Sequence, residues 1–127
     1  MTIVGIGVDV VETVRIEASI ERHGERFLNR VFTAGEVQYC SSMKRPAPFY
    51  AARFAAKEAV SKAFGTGIGA ELGWLNVEVR RKPSGEPFIV LHDCGVSLAA
   101  RLGIRSVLLT LSHSDHYAVA NAVAIGD

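Results

Sequence analysis

The sequence predicts one α+β domain over residues 1–127, in which a largely antiparallel sheet packs on a long helix. Three observations support this prediction. Strand patterns lie at both ends of the chain, one long helical pattern lies near the middle, and short turns join neighbouring strands into hairpins. The length suits one domain, and a composition of 49% hydrophobic and 21% charged residues is that of a folded chain.

The first predicted element is a strand over residues 2–11. Valine and isoleucine alternate onto one face, while Ile3, Gly5, Gly7 and Asp9 fall on the other. Glycine inside a strand is unfavourable unless another group approaches closely. The glycine face therefore leaves room for a ligand or for another backbone, and Asp9 lies at its end.

Helical patterns follow this strand. Residues 12–31 predict a helix that is interrupted or bent at Gly24. Thr33 begins the capping-box pattern TAGE, which predicts the start of a second helix. The segment RPAP interrupts that helix, and the long helix then runs over about 49–64.

The second half of the chain predicts strands around one short helix. Residues 74–81 alternate as a strand, and the turn PSGEP joins them to the strand FIVL. Residues 93–102 predict a helix that ends at Gly103, and VLLTLS and YAVANAVAI predict two last strands joined by HSDH. Alanines form smooth stripes on the last strand and on the long helix, and the two stripes suit close packing. They are Ala118, Ala120, Ala122 and Ala124 on the strand and Ala52, Ala56, Ala59 and Ala63 on the helix.

Composition disfavours several classes of function. The net charge is +1, so we expect no general affinity for nucleic acid. The N-terminal segment lacks the basic start of a signal peptide, and no uncharged apolar run approaches the ~20 residues of a transmembrane helix. We therefore expect a cytoplasmic protein with no membrane contact. Cys40 and Cys94 lie in unrelated contexts, which argues against a zinc site or a disulfide framework.

Most of the chemically active residue types lie in RFAAKEAVSKAFGTGIG, on the long helix and the loop after it. One helix face carries Phe54, Glu58, Ser61, Lys62 and Gly65. A solvated face with a Glu58–Lys62 ion pair also explains this set, and a plain helix cap explains the first glycine. Alternatively, the N–H groups of GTGIG present donors to oxygen ligands.

Asp9 adds a second carboxylate to this set. Two carboxylates with several lysines suit Mg²⁺-dependent chemistry on a phosphate or pyrophosphate, because carboxylate oxygens hold the metal and ammonium groups balance the phosphate charge. The chain has no GxxxxGK[ST] motif, and its GIGVDV segment lies inside a strand rather than at the start of a helix. Neither a P-loop nor a dinucleotide-binding fingerprint is therefore present.

The chain resembles the small bacterial type of 4′-phosphopantetheinyl transferase, the holo-[acyl-carrier-protein] synthases, over essentially its whole length. The matching segments are GIGVDVVE, FAAKEAVSK followed by AFGTGIG, GEPFIVL and LSHSDHYAVA. The KExxxK element and the early aspartate are specific in combination. The resemblance implies transfer of the phosphopantetheine arm of coenzyme A, the co-substrate, to a serine of an acyl carrier protein. Mg²⁺ would be the cofactor and adenosine 3′,5′-bisphosphate the second product.

By motif position, the resemblance makes Asp9 and Glu58 the Mg²⁺ ligands and Lys62 the contact to the reacting phosphate. These three residues form the predicted catalytic set. Larger family members carry a further acidic ligand where this chain has Val11, so a water is expected to complete the coordination. The base that deprotonates the serine is left open between Glu58 and a metal-bound water.

The resemblance also suggests contacts to coenzyme A. The predicted residues are Arg53, Lys57, Ser61, Lys62, Gly65 and His113. A structural ion pair explains Arg53 equally well, and a turn position with no further role explains His113.

The first helix carries a predicted dock for the carrier protein. Arg15, Arg22 and Arg26 lie in one row, offset from a row of glutamates that includes Glu17 and Glu21. A mixed solvated face is the alternative. Acyl carrier proteins are acidic along their recognition helix, so a basic stripe is the dock that the resemblance implies.

Two functions of other classes stay open, namely a non-catalytic module that binds coenzyme A or a nucleotide and a Mg²⁺-dependent hydrolase of pyrophosphates. The arginine row favours the transferase, because a hydrolase of small molecules needs no protein dock.

The resemblance also implies a homotrimer. Asp9 and Glu58 would come from one protomer and part of the coenzyme A pocket from its neighbour. A chain this small offers little concave surface of its own. The glycine face of the first strand and the alanine face of the last are both suited to close approach between protomers, although internal helix packing is the alternative use of either.

Overall fold

Two antiparallel sheets and one long helix form the framework of the fold. The computed structural model describes residues 1–127 and confirms the predicted α+β class. Its elements are β1 (Thr2–Glu12), α1 (Thr13–His23), α2 (Glu25–Val31), α3 (Ala34–Ser41), α4 (Ala47–Ala63), β2 (Val77–Arg81), β3 (Pro87–Leu91), α5 (Cys94–Leu102), β4 (Ser106–His113) and β5 (Tyr117–Gly126). Strands β1, β5 and β4 form one sheet in that order, and β2 pairs with β3. No helix combines the length and apolar character needed to cross a membrane.

Helix α4 lies very close to β1 and β5, because the contacting surfaces are smooth. The alanine stripes of α4 and β5 are buried, as predicted. On β1, a Cβ atom added to Gly5 would lie 2.0 Å from the carbonyl oxygen of Ala63, and one added to Gly7 would lie 2.0 Å from that of Ala59. The glycine face of β1 therefore accepts another backbone, that of α4, which was one of its two predicted uses.

The predicted helix boundaries agree with the structure to within a few residues. The bend at Gly24 is a break between α1 and α2. The capping box is present, since the Thr33 hydroxyl accepts from the N–H of Glu36 and the Thr33 N–H donates to the Glu36 carboxylate. Helix α4 begins at Ala47, and its first turn includes Pro48, where a missing N–H needs no partner.

The strand predicted over 74–81 is wrong at its start. Residues Trp74–Asn76 form a 3₁₀ turn, and strand pairing begins at Val77. The Asn76 side chain accepts from the N–H of Gly73, and the Lys57 ammonium donates to the carbonyls of Trp74 and Val77. These contacts hold the segment as a turn against α4, whereas the alternating sequence alone indicated a strand.

The sheet face opposite α4 is apolar and exposed. Ile6, Val8 and Val10 of β1 are 69%, 55% and 60% exposed, and Leu108 of β4 is 59% exposed. The strand register places Ile6 and Leu108 in one row through Val123 of β5. The glycine and alanine faces suggested for contacts between protomers are instead covered by α4 within the chain. The surface left for such a contact is this other face, which we call the free apolar face.

Candidate active site

The close contact of β1 with α4 brings the two predicted metal ligands to one cavity. Asp9 follows Gly7 on the strand face that contacts the helix, and Glu58 precedes Ala59, whose carbonyl oxygen lies against Gly7. Both carboxylates line a cavity of about 370 Å³. The structure therefore places Asp9 and Glu58 together although they are far apart in sequence.

The two carboxylates lie in an electrostatically unfavourable arrangement unless a cation joins them. Burial raises the pKa of Glu58, the negative charge of Asp9 raises it further, and the Lys62 ammonium partly offsets both effects. Mg²⁺ is commonly bound by one or two carboxylates together with waters and substrate phosphates. The pair fits such an ion. No group of three or more His, Cys, Asp or Glu side chains is placed to hold a metal by itself.

Lys62 lies at the same site, where its ammonium pairs with Asp9, and its contact with the reacting phosphate stays a prediction. The ammonium donates to Oδ1 of Asp9 at 3.1 Å and to the carbonyl oxygen of Val8 at 3.0 Å. The alternative explanation of the helix face, a Glu58–Lys62 ion pair on a solvated surface, is not realised. Among the predicted coenzyme A contacts, Lys62 is the one whose side chain pairs with the carboxylate of a metal-ligand candidate.

The structure corrects the roles predicted for Lys57 and Ser61, because both side chains are fully buried. The Lys57 ammonium donates to Glu36 at 2.8 Å and to two backbone carbonyls at 2.9 and 2.7 Å, so its three N–H bonds are all used. Burial lowers the pKa of Lys57, and the Glu36 carboxylate partly offsets this effect. The Ser61 hydroxyl donates to the carbonyl of Glu58. Both residues therefore hold the framework and leave no donor for coenzyme A.

The glycine loop after α4 is a helix cap. The N–H of Gly65 donates to the carbonyl of Lys62, and the N–H groups of Thr66 and Gly67 both donate to the carbonyl of Ser61. Gly65 and Gly67 have φ angles of 81° and 67°, the left-handed conformation in which glycine commonly ends a helix. These three N–H groups are therefore not free for oxygen ligands. The anion-binding use of these N–H groups is therefore not realised within the chain, while a contact of Gly65 with coenzyme A stays a prediction.

Arg53 is a buried cation without a carboxylate partner. It is 1% exposed, its Nε has no hydrogen-bond partner, and its NH1 donates to the carbonyl of Phe49 at 3.4 Å. The guanidinium stacks 4.3 Å from the centre of the Tyr39 ring. Burial raises the pKa of the neighbouring Cys40 thiol to about 12, so this thiol supplies no negative charge. The alternative of a structural ion pair for Arg53 is therefore not realised.

His113 lies near Arg53 and apart from the carboxylates. Its ring packs edge-on against Phe49 with centroids 4.9 Å apart, and Phe49 also accepts the hydrogen bond from Arg53. The register pairs Ala118 with both Val11 and His113, so His113 lies two strands away from β1. Within one chain, the group formed by Arg53 and His113 is thus separate from Lys62 and the carboxylates.

The carboxylate cavity also has an apolar wall, whose residues had no predicted role. Phe54 and Phe27 line it, and Phe54 packs against Trp74 with ring centroids 4.8 Å apart. The helical pattern placed Phe54 on the same helix face as Glu58, and this shared face was the sign in the sequence that Phe54 lies at the site. The Trp74 contact had no local signal, because its segment was predicted as a strand.

Two arginines of α1 lie at or beside this cavity. Arg15 lines it together with the two carboxylates, and Arg15 and Arg22 line a neighbouring cavity of about 250 Å³. Arg26 lies on α2, beyond the break at Gly24, so the row predicted for one continuous helix is interrupted before Arg26.

Comparison with known proteins shows the family of the chain. A profile of the 4′-phosphopantetheinyl transferase superfamily matches residues 5–122. The chain is 46% identical over 121 residues to a holo-[acyl-carrier-protein] synthase of Koribacter versatilis, covering 95% of this chain and 97% of the relative. It is 48% identical over 120 residues to one from Chlamydia trachomatis, covering 94% and 98%.

Solved structures with the same name have the same fold. The Neisseria meningitidis enzyme superposes with a TM-score of 0.91 at 31% identity, over 98% of this chain and 99% of that one. The Bacillus anthracis enzyme, solved with coenzyme A (3′,5′-ADP), has a TM-score of 0.83 at 38% identity and full coverage of both chains. The chain therefore belongs to the 4′-phosphopantetheinyl transferase superfamily and is an enzyme of the holo-[acyl-carrier-protein] synthase type.

Proposed function

We propose that the protein transfers the 4′-phosphopantetheine arm of coenzyme A to a serine hydroxyl of an apo acyl carrier protein, in a Mg²⁺-dependent reaction. The observation that carries the proposal is the meeting of Asp9, Glu58 and Lys62 at one cavity that Arg15 also lines. Relatives that share nearly the whole chain carry the name of this activity, and the Helicobacter pylori relative was solved in complex with coenzyme A.

In the proposed reaction, the serine oxygen attacks the phosphorus that bears the pantetheine arm. A new oxygen–phosphorus bond forms, the pyrophosphate bond breaks, and adenosine 3′,5′-bisphosphate leaves with the bridging oxygen. Asp9 and Glu58 would hold Mg²⁺, which when bound neutralises charge on the pyrophosphate. Lys62, which is half-exposed and therefore able to move, would contact the reacting phosphate. The serine proton would pass to Glu58 or to a water held by the metal, the two candidate bases at this site.

The arginines Arg15, Arg22 and Arg26 form the proposed dock for the carrier protein. Arg15 lines the carboxylate cavity, and Arg22 lines the cavity beside it. A carrier bound through these residues would present its serine next to the metal ligands. This position supports a protein substrate over a small-molecule hydrolase, whose site needs no basic surface beside it.

We also propose that the working form is a homotrimer in the cytoplasm. The free apolar face of β1 and β4 consists of neighbouring exposed apolar residues rather than scattered single ones, and such faces commonly mark protein interfaces. The group at Arg53 and His113 is separate from the group at Asp9, Glu58 and Lys62 within one chain. An interface between protomers would allow both groups to contact one coenzyme A molecule.

The test is incubation of the protein with apo acyl carrier protein, coenzyme A and Mg²⁺, followed by mass spectrometry of the carrier. The proposal expects the carrier to gain one phosphopantetheine, and coenzyme A to stay intact when the carrier is left out. Consumption of coenzyme A without a carrier would favour the hydrolase. Binding of coenzyme A with no change in either molecule would favour the non-catalytic module.

A further inference from the structure

Lys62 makes a contact that its proposed catalytic role does not require. Its ammonium lies 3.1 Å from Oδ1 of Asp9, one of the two carboxylates assigned to the metal. It is also held by the carbonyl oxygen of Val8. A lysine dedicated to a substrate phosphate would have no need to neutralise a metal ligand. Here the same ammonium provides the positive charge that Asp9 would otherwise receive from a metal ion.

This contact is one that Lys62 is able to exchange. The side chain of Lys62 is 48% exposed, and that of Asp9 is 17% exposed. Lys57, five residues earlier on α4, shows the opposite case, since its ammonium is fully buried and saturated by three acceptors. Moving Lys57 would open a buried polar network, whereas moving Lys62 exchanges one partly solvated partner for another.

We propose that Lys62 competes with the divalent cation for Asp9, and that the phosphates of coenzyme A relieve this competition by drawing Lys62 away. The proposal rests on the metal assignment made under Proposed function. Because coupling between two ligands is reciprocal, metal and coenzyme A should each bind more tightly when the other is present. Lys62 would then both contact phosphate and disfavour metal binding before coenzyme A arrives.

The test measures metal binding to the full-length protein without coenzyme A, with Mn²⁺ as a paramagnetic probe of the same oxygen ligands. Four proteins are compared: wild type, Lys62→Met, Asp9→Asn and Lys82→Met. Lys82 is the matched control, because it is 52% exposed and forms an ion pair with Glu86 at 3.3 Å on another surface. We expect Lys62→Met to bind Mn²⁺ about five- to tenfold more tightly than wild type. Lys82→Met should bind as wild type does, and Asp9→Asn should bind more weakly.

A second titration, at saturating coenzyme A, measures the coupling. Coenzyme A should tighten Mn²⁺ binding to the wild type, and this gain should be smaller in Lys62→Met. If Lys62→Met binds the ion no more tightly than wild type while Asp9→Asn binds it more weakly, the competition is overturned and the metal assignment stands. If Asp9→Asn binds Mn²⁺ as wild type does, both the competition and the metal assignment are overturned.

Discussion

Gly7 of β1 lies directly against the carbonyl oxygen of Ala59 in α4, where a Cβ atom would be only 2.0 Å away. This contact sets the separation of the strand and the helix. Asp9 lies two residues beyond Gly7, and Glu58 lies one residue before Ala59. The close packing of β1 on α4 therefore also brings the two metal-ligand candidates to one cavity.

Gly7→Ala should destabilise the protein strongly. The added methyl group would contact backbone, which cannot rotate away, so α4 would have to move from β1. We expect the free energy of unfolding to fall by at least ~3 kcal/mol, measured by urea denaturation. Gly69→Ala is the matched control, because a Cβ there meets nothing within 4 Å, and it should leave stability nearly unchanged. Equal stability of the two variants would contradict this account of the strand–helix contact.

Asp9→Ala and Glu58→Ala should each abolish transfer without unfolding the chain. Both carboxylates line the cavity, and neither is part of the apolar core. We expect a loss on the order of 100-fold or more in kcat/KM, with an unchanged circular dichroism spectrum. Glu86→Ala, at an exposed surface carboxylate, should keep full activity. Wild-type turnover by Asp9→Ala at the same Mg²⁺ concentration would rule out the metal assignment.

Lys57→Met should reduce stability rather than coenzyme A binding alone. The change leaves Glu36 as an unpaired buried carboxylate and frees the carbonyls of Trp74 and Val77. We expect a loss of ~3–5 kcal/mol and a change in the fluorescence of Trp74, the only tryptophan in the chain. Adding Glu36→Gln should recover part of the loss. A stable Lys57→Met protein with only a raised KM for coenzyme A would restore the role that the sequence suggested.

Charge reversal at Arg15, Arg22 or Arg26 should raise the KM for the carrier protein. Coenzyme A binding should change little, most clearly for Arg22 and Arg26, because neither lines the carboxylate cavity. The effect should decrease as salt is added, since exposed charges are screened over ~8 Å at physiological ionic strength. Reversal at Arg101, which pairs with Glu71 on another surface, is the control. If the KM at low salt is unchanged in all three variants, the dock lies elsewhere.

Val8→Asp should break the proposed trimer and remove activity. Light scattering of the wild type is expected to report about three chains per particle, and the variant should report one. Val96→Asp is the matched control, because Val96 is 54% exposed and Val8 is 55% exposed, but Val96 lies on α5, away from the free apolar face. A wild-type monomer with full activity at assay concentration would exclude the trimer and leave the metal site untouched.

The sequence by itself determined most of the framework, and it singled out the two carboxylates that we propose as metal ligands. Period-two and helical patterns located the strands and helices, because these patterns depend on neighbouring residues. The alanine stripes correctly indicated the packing of α4 on β5. Asp9 and Glu58 were identified through their motifs, and the structure places them at one cavity.

Only the tertiary structure decided which polar groups are available. Lys57 and Lys62 belong to one motif, yet one ammonium is saturated in the core and the other is half-exposed at Asp9. The N–H groups of Gly65 and Gly67 are used by the helix cap, although the same glycines would also suit an anion-binding loop. The partners of these groups include residues distant in sequence, such as Glu36 and Trp74. A local pattern predicts which helix or strand face carries a polar side chain. Whether that side chain is free to bind a ligand depends on which other segments of the fold satisfy its hydrogen bonds.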